Sequence, residues 1–128
     1  MRKELDVQLA WPNKDLSPNA RVHFFAKSKL VRVAKGAALL HTKKAMKAAG
    51  ITRAVPVGKV NVQIVPVPPT RRSQDEDNLL AKMKSALDGI AEGIGVDDRN
   101  FHFLEQVWFP AKKPGKIFVR LSWEEDDE

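Results

Sequence analysis

The sequence predicts a single α+β domain in the order β-α-β-α-β-β, in which one mixed sheet carries two helices on one face. Three observations predict this fold. Four segments alternate apolar and polar residues with the period of two that half-buried strands show. Two proline-free segments have helical composition or spacing. The length of 128 residues matches one domain and excludes an enzyme with a separate cofactor-binding domain.

The predicted strands span residues 5–11, 60–66, 101–109 and 117–123. The first two end at prolines, which cannot donate a hydrogen bond to a sheet ladder. Pro114 and Gly115 stand between the last two strands. A Pro-Gly pair between two alternating segments favours a turn, so these strands are predicted to pair as an antiparallel hairpin.

The predicted helices span residues 26–50 and 77–92. The first is rich in Ala, Lys and Leu and stops at Gly50, a residue type that commonly ends helices. The second is closed by Gly93 and Gly95. Its apolar residues form one stripe at helical spacing: Leu79, Leu80, Met83, Leu87, Ile90 and Ile94.

Composition excludes several classes of function. The chain has no cysteine, which excludes a disulfide scaffold, a thiol nucleophile and cysteine-bound zinc or iron–sulfur clusters. It has no tyrosine nucleophile, and its three histidines lack the paired spacing of metal ligands. No signal segment or apolar span is present, so we expect a soluble cytoplasmic protein without a membrane partner.

The net charge of +6 conceals an uneven distribution. Residues 124–128 are all acidic and are expected to form a tail beyond a domain of residues 1–123, which itself has 22 basic and 11 acidic groups. Residues 16–74 hold twelve Lys or Arg and no Asp or Glu. A long acid-free basic segment indicates a polyanion partner, although solvated lysine-rich faces are the alternative.

An acidic cluster of Asp75, Glu76 and Asp77 stands at the start of the second predicted helix. Ser73 and Glu76 fit a capping box, and acidic residues near a helix N-terminus are favoured in any case. However, Arg71 and Arg72 directly precede the cluster. Carboxylates that hold Mg²⁺ beside arginines that hold phosphates are what hydrolysis of a nucleic acid backbone requires.

The polar side of the same helix offers further candidates. At about 100° per residue, Asp77, Lys84 and Asp88 fall within roughly 40° of one another, whereas Lys82 lies well over 100° from Lys84. A lysine on this flank could meet a scissile phosphate. The alternative is an ordinary ion pair between Lys84 and Asp88, and spacing alone does not separate the two readings.

Segment 75–90 reads DEDNLLAKMKSALDGI, and Asp97-Asp98 follows it after a glycine-rich turn. With Arg71 and Arg72 before it, this segment resembles the D-x-D-N-L and D-D pattern of the RusA family of Holliday junction resolvases. The loop LSPNAR at 16–21 also resembles the loop that follows the first strand in that family. The resemblance therefore covers roughly residues 5–123.

The resemblance implies a homodimeric, Mg²⁺-dependent endonuclease of bacterial or phage type, with Mn²⁺ as a possible substitute. Such an enzyme nicks two opposed strands of a four-way DNA junction in recombination and repair. The metal-binding carboxylates of the family correspond here to Asp75, Asp77 and Asp98. The family's helix lysine falls at Ala81, so we assign its role to Lys84, which lies nearly one turn further along on the same face.

Two routes could bring Asp98 to the other carboxylates. A helix of residues 78–92 is about 22 Å long at 1.5 Å per residue, and Asp98 follows its far end. Either residues 93–98 fold back along the helix, or a second subunit supplies its own Asp98. The two-fold symmetry of a four-way junction favours a dimer in either case, with helix 37–49 or the apolar strand edges as its interface.

The predicted contacts to DNA phosphates are Arg21, Lys27, Lys29, Arg32, Arg71 and Arg72. Phe24 and Phe25 stand among them and could stack on bases, although we expect at least one of these rings to lie in the core. Lys112, Lys113 and Lys116 at the predicted hairpin tip could touch DNA or guard a sheet edge. Glu105 is a further candidate for the metal site or for an ion pair.

The sequence thus predicts a structure-selective DNA endonuclease in which Asp75, Asp77, Asp98 and Lys84 act on the phosphodiester. Two alternatives stay open: a catalytically silent nucleic-acid-binding protein on the same scaffold, and a flap or general nuclease.

Overall fold

A computed structural model describes residues 1–55, 58–71 and 76–125, and for Glu76 and Asp77 it describes the backbone only. Within these ranges the chain forms one mixed α/β domain, which confirms the predicted fold class. Its strands are β1 (Arg2–Ala10), β2 (Val60–Val67), β3 (Phe101–Phe103) and β4 (Lys116–Glu124). Its α-helices are α1 (Phe24–Ala48), α2 (Glu76–Lys82) and α3 (Lys84–Ile94).

The sheet has the strand order β1-β4-β2-β3. β4 pairs antiparallel with both β1 and β2, and β3 pairs parallel with β2. Strand residues alternate between buried and more exposed positions, as the period of two predicts. The buried set joins the apolar residues of α2 and α3 in one core, so the helices cover one face of the sheet.

The close contact between α1 and α3 holds the helical layer together. A Cβ atom at Gly89 would lie 2.3 Å from the backbone oxygen of Lys35 in α1, and one at Gly93 would lie 2.7 Å from Cγ2 of Thr42. Glycine at these positions therefore lets the two helix backbones approach. Thr42 is fully buried at this contact and satisfies its hydroxyl group by donating to the backbone oxygen of Ala38 over 2.7 Å.

The predicted hairpin of the last two strands is wrong. The predicted strand 101–109 is shorter in the structure, where only Phe101–Phe103 forms β3. The chain after β3 still runs along β2, because the N–H groups of Leu104, Val107 and Phe109 donate to carbonyl oxygens within β2. The chain then passes the end of β2 at Pro68 and Pro69 and returns on its other side as β4. Pro114-Gly115 therefore belongs to a crossing connection.

The second predicted helix is divided into α2 and α3 at Met83. The N–H of Met83 is shared between the carbonyl oxygens of Leu79 and Leu80, both at 3.1 Å. The side chain of Met83 is buried in the core, so the apolar stripe continues across the division. No helix in the described part of the chain is long and apolar enough to cross a membrane.

The end of β4 reaches into the predicted acidic tail. Glu124 is the last residue of β4 and pairs with Arg2 of β1. The backbone N–H of Glu125 donates to the carbonyl oxygen of Met1 over 3.0 Å. Residues 126–128 lie outside the described part of the chain.

Substitution of Gly89, at the close contact between α1 and α3, is expected to destabilise the domain. Gly89→Ala should lower the free energy of unfolding by about 1–3 kcal/mol, because the new methyl group meets a backbone oxygen that cannot move aside. Gly36→Ala in α1 is the matched control, since a Cβ there meets nothing within 4 Å. It should stabilise the domain by about 0.5–1 kcal/mol. Urea unfolding of both variants measures the difference, and equal stability would contradict the helix contact.

Candidate functional site

Lys84, Asp88 and Asp98 line one pocket of about 360 Å³ on the surface of the domain. Apolar side chains complete its wall: Leu80, Ala81, Leu87, Phe101 and Phe103. The pocket therefore lies where α2, α3 and β3 meet. It brings one cation and two carboxylates together in a largely apolar setting.

Asp98 reaches this pocket because the chain turns back after α3. Gly95 follows α3 in the left-handed conformation, with φ of 76°, and the N–H of Val96 donates to the carbonyl oxygen of Ala91 over 3.0 Å. The side chain of Asp97 accepts a hydrogen bond from the N–H of Arg99 at the start of a 3-10 turn. The chain thus folds back after α3 and brings Asp98 beside this helix. Its approach to Asp75 and Asp77, from the same chain or from a second subunit, stays a prediction.

The Asp98 carboxyl group lies within hydrogen-bonding reach of the Asp88 carboxyl group, and this contact raises the pKa of Asp98 above its ordinary value. Desolvation, the charge of Asp88 and the charge of Asp97 act in the same direction. The charge of Lys84 opposes them and lowers the pKa of Asp98. Two carboxylates this close disfavour their joint ionisation unless a cation compensates for the repulsion.

The chemistry of these donors fits a hard divalent cation. Mg²⁺ and Mn²⁺ prefer carboxylate oxygens, and a cation bound by Asp88 and Asp98 would relieve their repulsion. Among the side chains that the structure describes, which exclude those of Glu76 and Asp77, no group of three or more His, Cys, Asp or Glu is arranged to hold a metal ion. Asp75 and the side chain of Asp77, both assigned to the metal from sequence, lie outside the described residues.

The backbone places Asp77 in the first turn of α2. Ala81, four residues later on the same helix, lines the pocket. Positions four apart on a helix are neighbours along its surface, so the first turn of α2 lies next to the turn that lines the pocket. The assignment of Asp77 to the metal stays a prediction.

The structure separates the two candidate lysines. Lys84 is exposed and lines the pocket that holds Asp98. The ammonium nitrogen of Lys82 lies 6.0 Å from the centre of the Trp11 ring, and its side chain lines a different groove, beside α1 and the end of β1. Lys84 is therefore the lysine that is positioned to act together with Asp98.

Asp88 is the residue that the sequence analysis left out of the site. It stands four residues after Lys84 on α3, and this spacing was the signal that could have included it. The same spacing also favours an ion pair of Lys84 with Asp88, but the ion pairs in this region join Lys35 to Glu92 and Arg99 to Asp97. Glu105, the other acidic candidate, is exposed and does not line the pocket.

Most of the predicted DNA contacts are accessible. The exposed ones are Arg21, Lys29, Arg32 and Arg71, whereas Arg72 lies outside the described residues. Lys27 is partly buried, and its ammonium group donates to the backbone oxygen of Ser17 over 2.8 Å. Lys27 thus fixes the loop before α1, and its contact with DNA stays a prediction.

The expectation that Phe24 or Phe25 lies in the core is wrong. Their relative exposures are 73% and 74%. The physical reason is the position of α1, which begins at Phe24 and buries only a narrow stripe further along, at Ala38, Thr42 and Met46. The first turn of α1 therefore extends beyond the part of the helix that packs on the core.

No known protein-family profile matches this chain. The chain is similar to a protein of Xylella fastidiosa (strain Temecula1 / ATCC 700964) that carries the name "Uncharacterized protein". The two sequences are 46% identical over 117 residues, which cover 91% of this chain and 74% of the Xylella protein. The similarity thus extends over almost the whole domain described above.

The contact between the two pocket carboxyl groups predicts how the pKa of Asp98 responds to substitution. Asp88→Asn should lower this pKa, because the Asp88 carboxyl group is the main cause of its raised value. Lys84→Met should raise it further, because the lysine charge no longer favours the ionised form. NMR titration of the Asp98 side-chain carbon measures both changes.

Glu92→Gln is the matched control for this titration. Glu92 also lies on α3, but its carboxylate pairs with Lys35 over 3.4 Å. The pKa of Asp98 should not change in this variant. An Asp98 pKa that stays the same in Asp88→Asn would contradict the arrangement of the pocket.

Proposed function

We propose that this chain, which belongs to the same family as the Xylella fastidiosa protein, is a Mg²⁺-dependent DNA endonuclease that resolves four-way junctions. The observation that carries the proposal is the meeting of Asp88, Asp98 and Lys84 in one pocket, next to the turn of α2 that contains Asp77. The acid-free basic segment at 16–74 supports a polyanionic substrate. The RusA-like pattern of residues 75–98 supports a branched DNA as that substrate.

The side chains of the pocket suit hydrolysis of a phosphodiester. The reaction needs a nucleophilic water and stabilisation of the charge that develops on the phosphate. Mg²⁺ held by these carboxylates would polarise the phosphate and lower the pKa of a bound water. The exposed ammonium group of Lys84 binds the attacked phosphate or the leaving oxygen.

In this proposal Asp88 joins the three carboxylates assigned from sequence. Asp88 on α3 and Asp98 in the turn after it would hold the cation. Asp75 and Asp77 would supply further carboxylate oxygens. Mg²⁺ is usually held by one or two carboxylates together with substrate phosphates, so not every one of these groups needs to touch it. A carboxylate outside its coordination shell would orient the attacking water.

The basic residues at the start of α1 position the DNA backbone. The ammonium group of Lys27 donates to the backbone oxygen of Ser17, and the hydroxyl group of Ser17 donates to Oδ1 of Asn78 over 3.2 Å. Because Asn78 directly follows Asp77, these two hydrogen bonds tie the start of α1 to the start of α2. In this proposal Arg21, Lys29 and Arg32, which are exposed, bind phosphates of the DNA backbone.

Resolution of a junction needs two nicks, and a homodimer supplies two equal sites. We place the contact between the two copies at the outer edge of the sheet, next to β3. Four exposed apolar residues follow this edge: Phe103, Leu104, Val107 and Phe109, with relative exposures of 43%, 39%, 44% and 54%. A row of apolar side chains along an open sheet edge is typical of a protein interface.

Removal of one pocket carboxylate is expected to separate binding from cutting. Asp98→Asn should bind a four-way junction as the wild type does but lose junction nicking by at least about 100-fold, because the cation site is lost while the basic surface is kept. Asp77→Asn should behave in the same way. Gel-shift and nicking assays on one labelled junction, with Mg²⁺ present for the nicking assay, measure the two properties.

Asp97→Asn is the matched control for these variants. Asp97 precedes Asp98 but caps the following turn and pairs with Arg99, and asparagine can keep the cap. This variant should still nick the junction. Full nicking by Asp98→Asn with Mg²⁺ present would reject the proposal. If the wild type binds junctions and never nicks them, the chain is a silent DNA-binding protein instead.

The two lysines provide a second test of the same site. Lys84→Met should reduce the rate of nicking by about 100-fold, because one charged donor to the reacting phosphate is lost. Lys82→Met removes the same charge from a side chain that lies near Trp11, and should change the rate by less than about threefold. Single-turnover nicking rates distinguish the two. Equal losses in both variants would contradict the assignment of Lys84.

A further inference from the structure

Two phenylalanine rings stand exposed at the start of α1. Phe24 and Phe25 have relative exposures of 73% and 74%, the highest among the large apolar residues of the described ranges. Their ring centroids lie 5.5 Å apart with an interplanar angle of 70°, and the His23 ring lies 5.5 Å from that of Phe25. Three neighbouring rings thus form an aromatic surface, which we call the aromatic cap.

The backbone beneath the aromatic cap is held in place. His23 is the N-cap of α1, and its Nδ1 atom accepts a hydrogen bond from the N–H of Phe25 over 3.3 Å. The N–H of Lys27 donates to the carbonyl oxygen of His23 over 3.0 Å, which closes the first helical turn. The rings are therefore presented on a regular helix, and a partner that covers them would not have to order this turn first.

Exposed cations flank the aromatic cap along the chain. Arg21 precedes it and Lys29 and Arg32 follow it, all exposed. The first turn of α1 contains no acidic residue. Exposed aromatic rings among cations fit single-stranded or unpaired nucleic acid, in which phosphates meet the cations and flat bases stack on the rings. A purely apolar protein partner would have no use for this charge.

The aromatic cap belongs to the same end of the molecule as the start of α2. The hydrogen bonds of Ser17 with Lys27 and with Asn78 link the two helix starts, as described above. The aromatic cap therefore lies at the same end of the molecule as the first turn of α2, which contains Asp77. This position allows the rings to affect which DNA structure the protein binds.

We propose that Phe24 and Phe25 stack on the base faces that are exposed at the branch point of the DNA and so determine the preference for branched over linear DNA. The proposal rests on the proposed function for the identity of the nucleic acid. In an intact duplex each base is covered by its neighbours, and an exposed ring finds no free base face. At a branch point the stack is interrupted, and the base faces there are free to stack on the rings.

The test uses a four-way junction that carries the fluorescent base 2-aminopurine at the branch point, together with a duplex of the same arm sequence, both in EDTA so that no strand is cut. The wild type should raise the fluorescence of the junction, because the labelled base leaves its stack. Phe24→Ala/Phe25→Ala should abolish this rise and bind the junction about 5- to 150-fold more weakly. Its affinity for the duplex should stay the same.

Two further variants make the readout specific. Phe24→Tyr/Phe25→Tyr keeps both rings and should retain the fluorescence rise and the junction affinity. Val33→Ala/Leu40→Ala removes apolar side chains of the same helix with relative exposures of 59% and 55%, and should behave as the wild type. Because all four positions are exposed, these variants are expected to fold.

The proposal is overturned if Phe24→Ala/Phe25→Ala keeps both the fluorescence rise and the junction preference. It is also overturned if that variant turns a wild-type dimer into a monomer in sedimentation analysis, since the rings would then cover a second copy of the chain. A wild type that shows the fluorescence rise but never nicks DNA with Mg²⁺ would reject the proposed nuclease function and leave this inference standing.

Discussion

The close approach of α1 and α3 is the constraint on which the rest of the structure depends. Gly89 and Gly93 allow the backbone of α3 to lie against Lys35 and Thr42 of α1, where even one methyl group would not fit. With that side of α3 fixed, its larger apolar residues Leu87, Ile90 and Ile94 join the core formed with the sheet. Lys84 and Asp88 are left on the side that faces the pocket.

The second half of the pocket depends on the chain that follows α3. Gly95 ends the helix, and the turn through Asp97 reverses the direction of the chain, so that Asp98 returns to α3. β3 then pairs parallel with β2 and fixes Phe101 and Phe103 as the apolar wall. The glycines fix the position of α3 against α1, and β3 fixes the turn after α3. Together these two constraints bring the carboxyl groups of Asp88 and Asp98 into contact.

Much of this arrangement could be predicted from the sequence, because it depends on local patterns. The alternation of apolar residues located the four strands approximately, and the spacing on the second helix put Lys84 and Lys82 on different sides, as the separate pockets that they line confirm. The pairing of the last two strands was wrong, because alternation reports which face of a strand is buried but not which strand lies beside it. The crossing past Pro68 and Pro69 has no signature of its own in the sequence.

Two features could not be predicted from the sequence because they depend on tertiary structure. They are the contact of Asp88 with Asp98 and the exposure of the aromatic cap. Asp88 had the expected signature of a helical ion pair, and only the reversal after Gly95 brings a second carboxylate to it. Phe24 and Phe25 are large apolar residues of a type that is usually buried in a core. Their exposure follows from where α1 begins relative to the buried stripe at Ala38, Thr42 and Met46.

The most direct test of the central claim is a cutting assay of the wild-type chain on a labelled four-way junction and on a linear duplex of the same arm sequence. With Mg²⁺, the account predicts nicks in two opposed strands of the junction, an intact duplex, and no nicks when EDTA replaces the metal. A junction that stays uncut in both Mg²⁺ and Mn²⁺, or a duplex that is cut as fast as the junction, would contradict it.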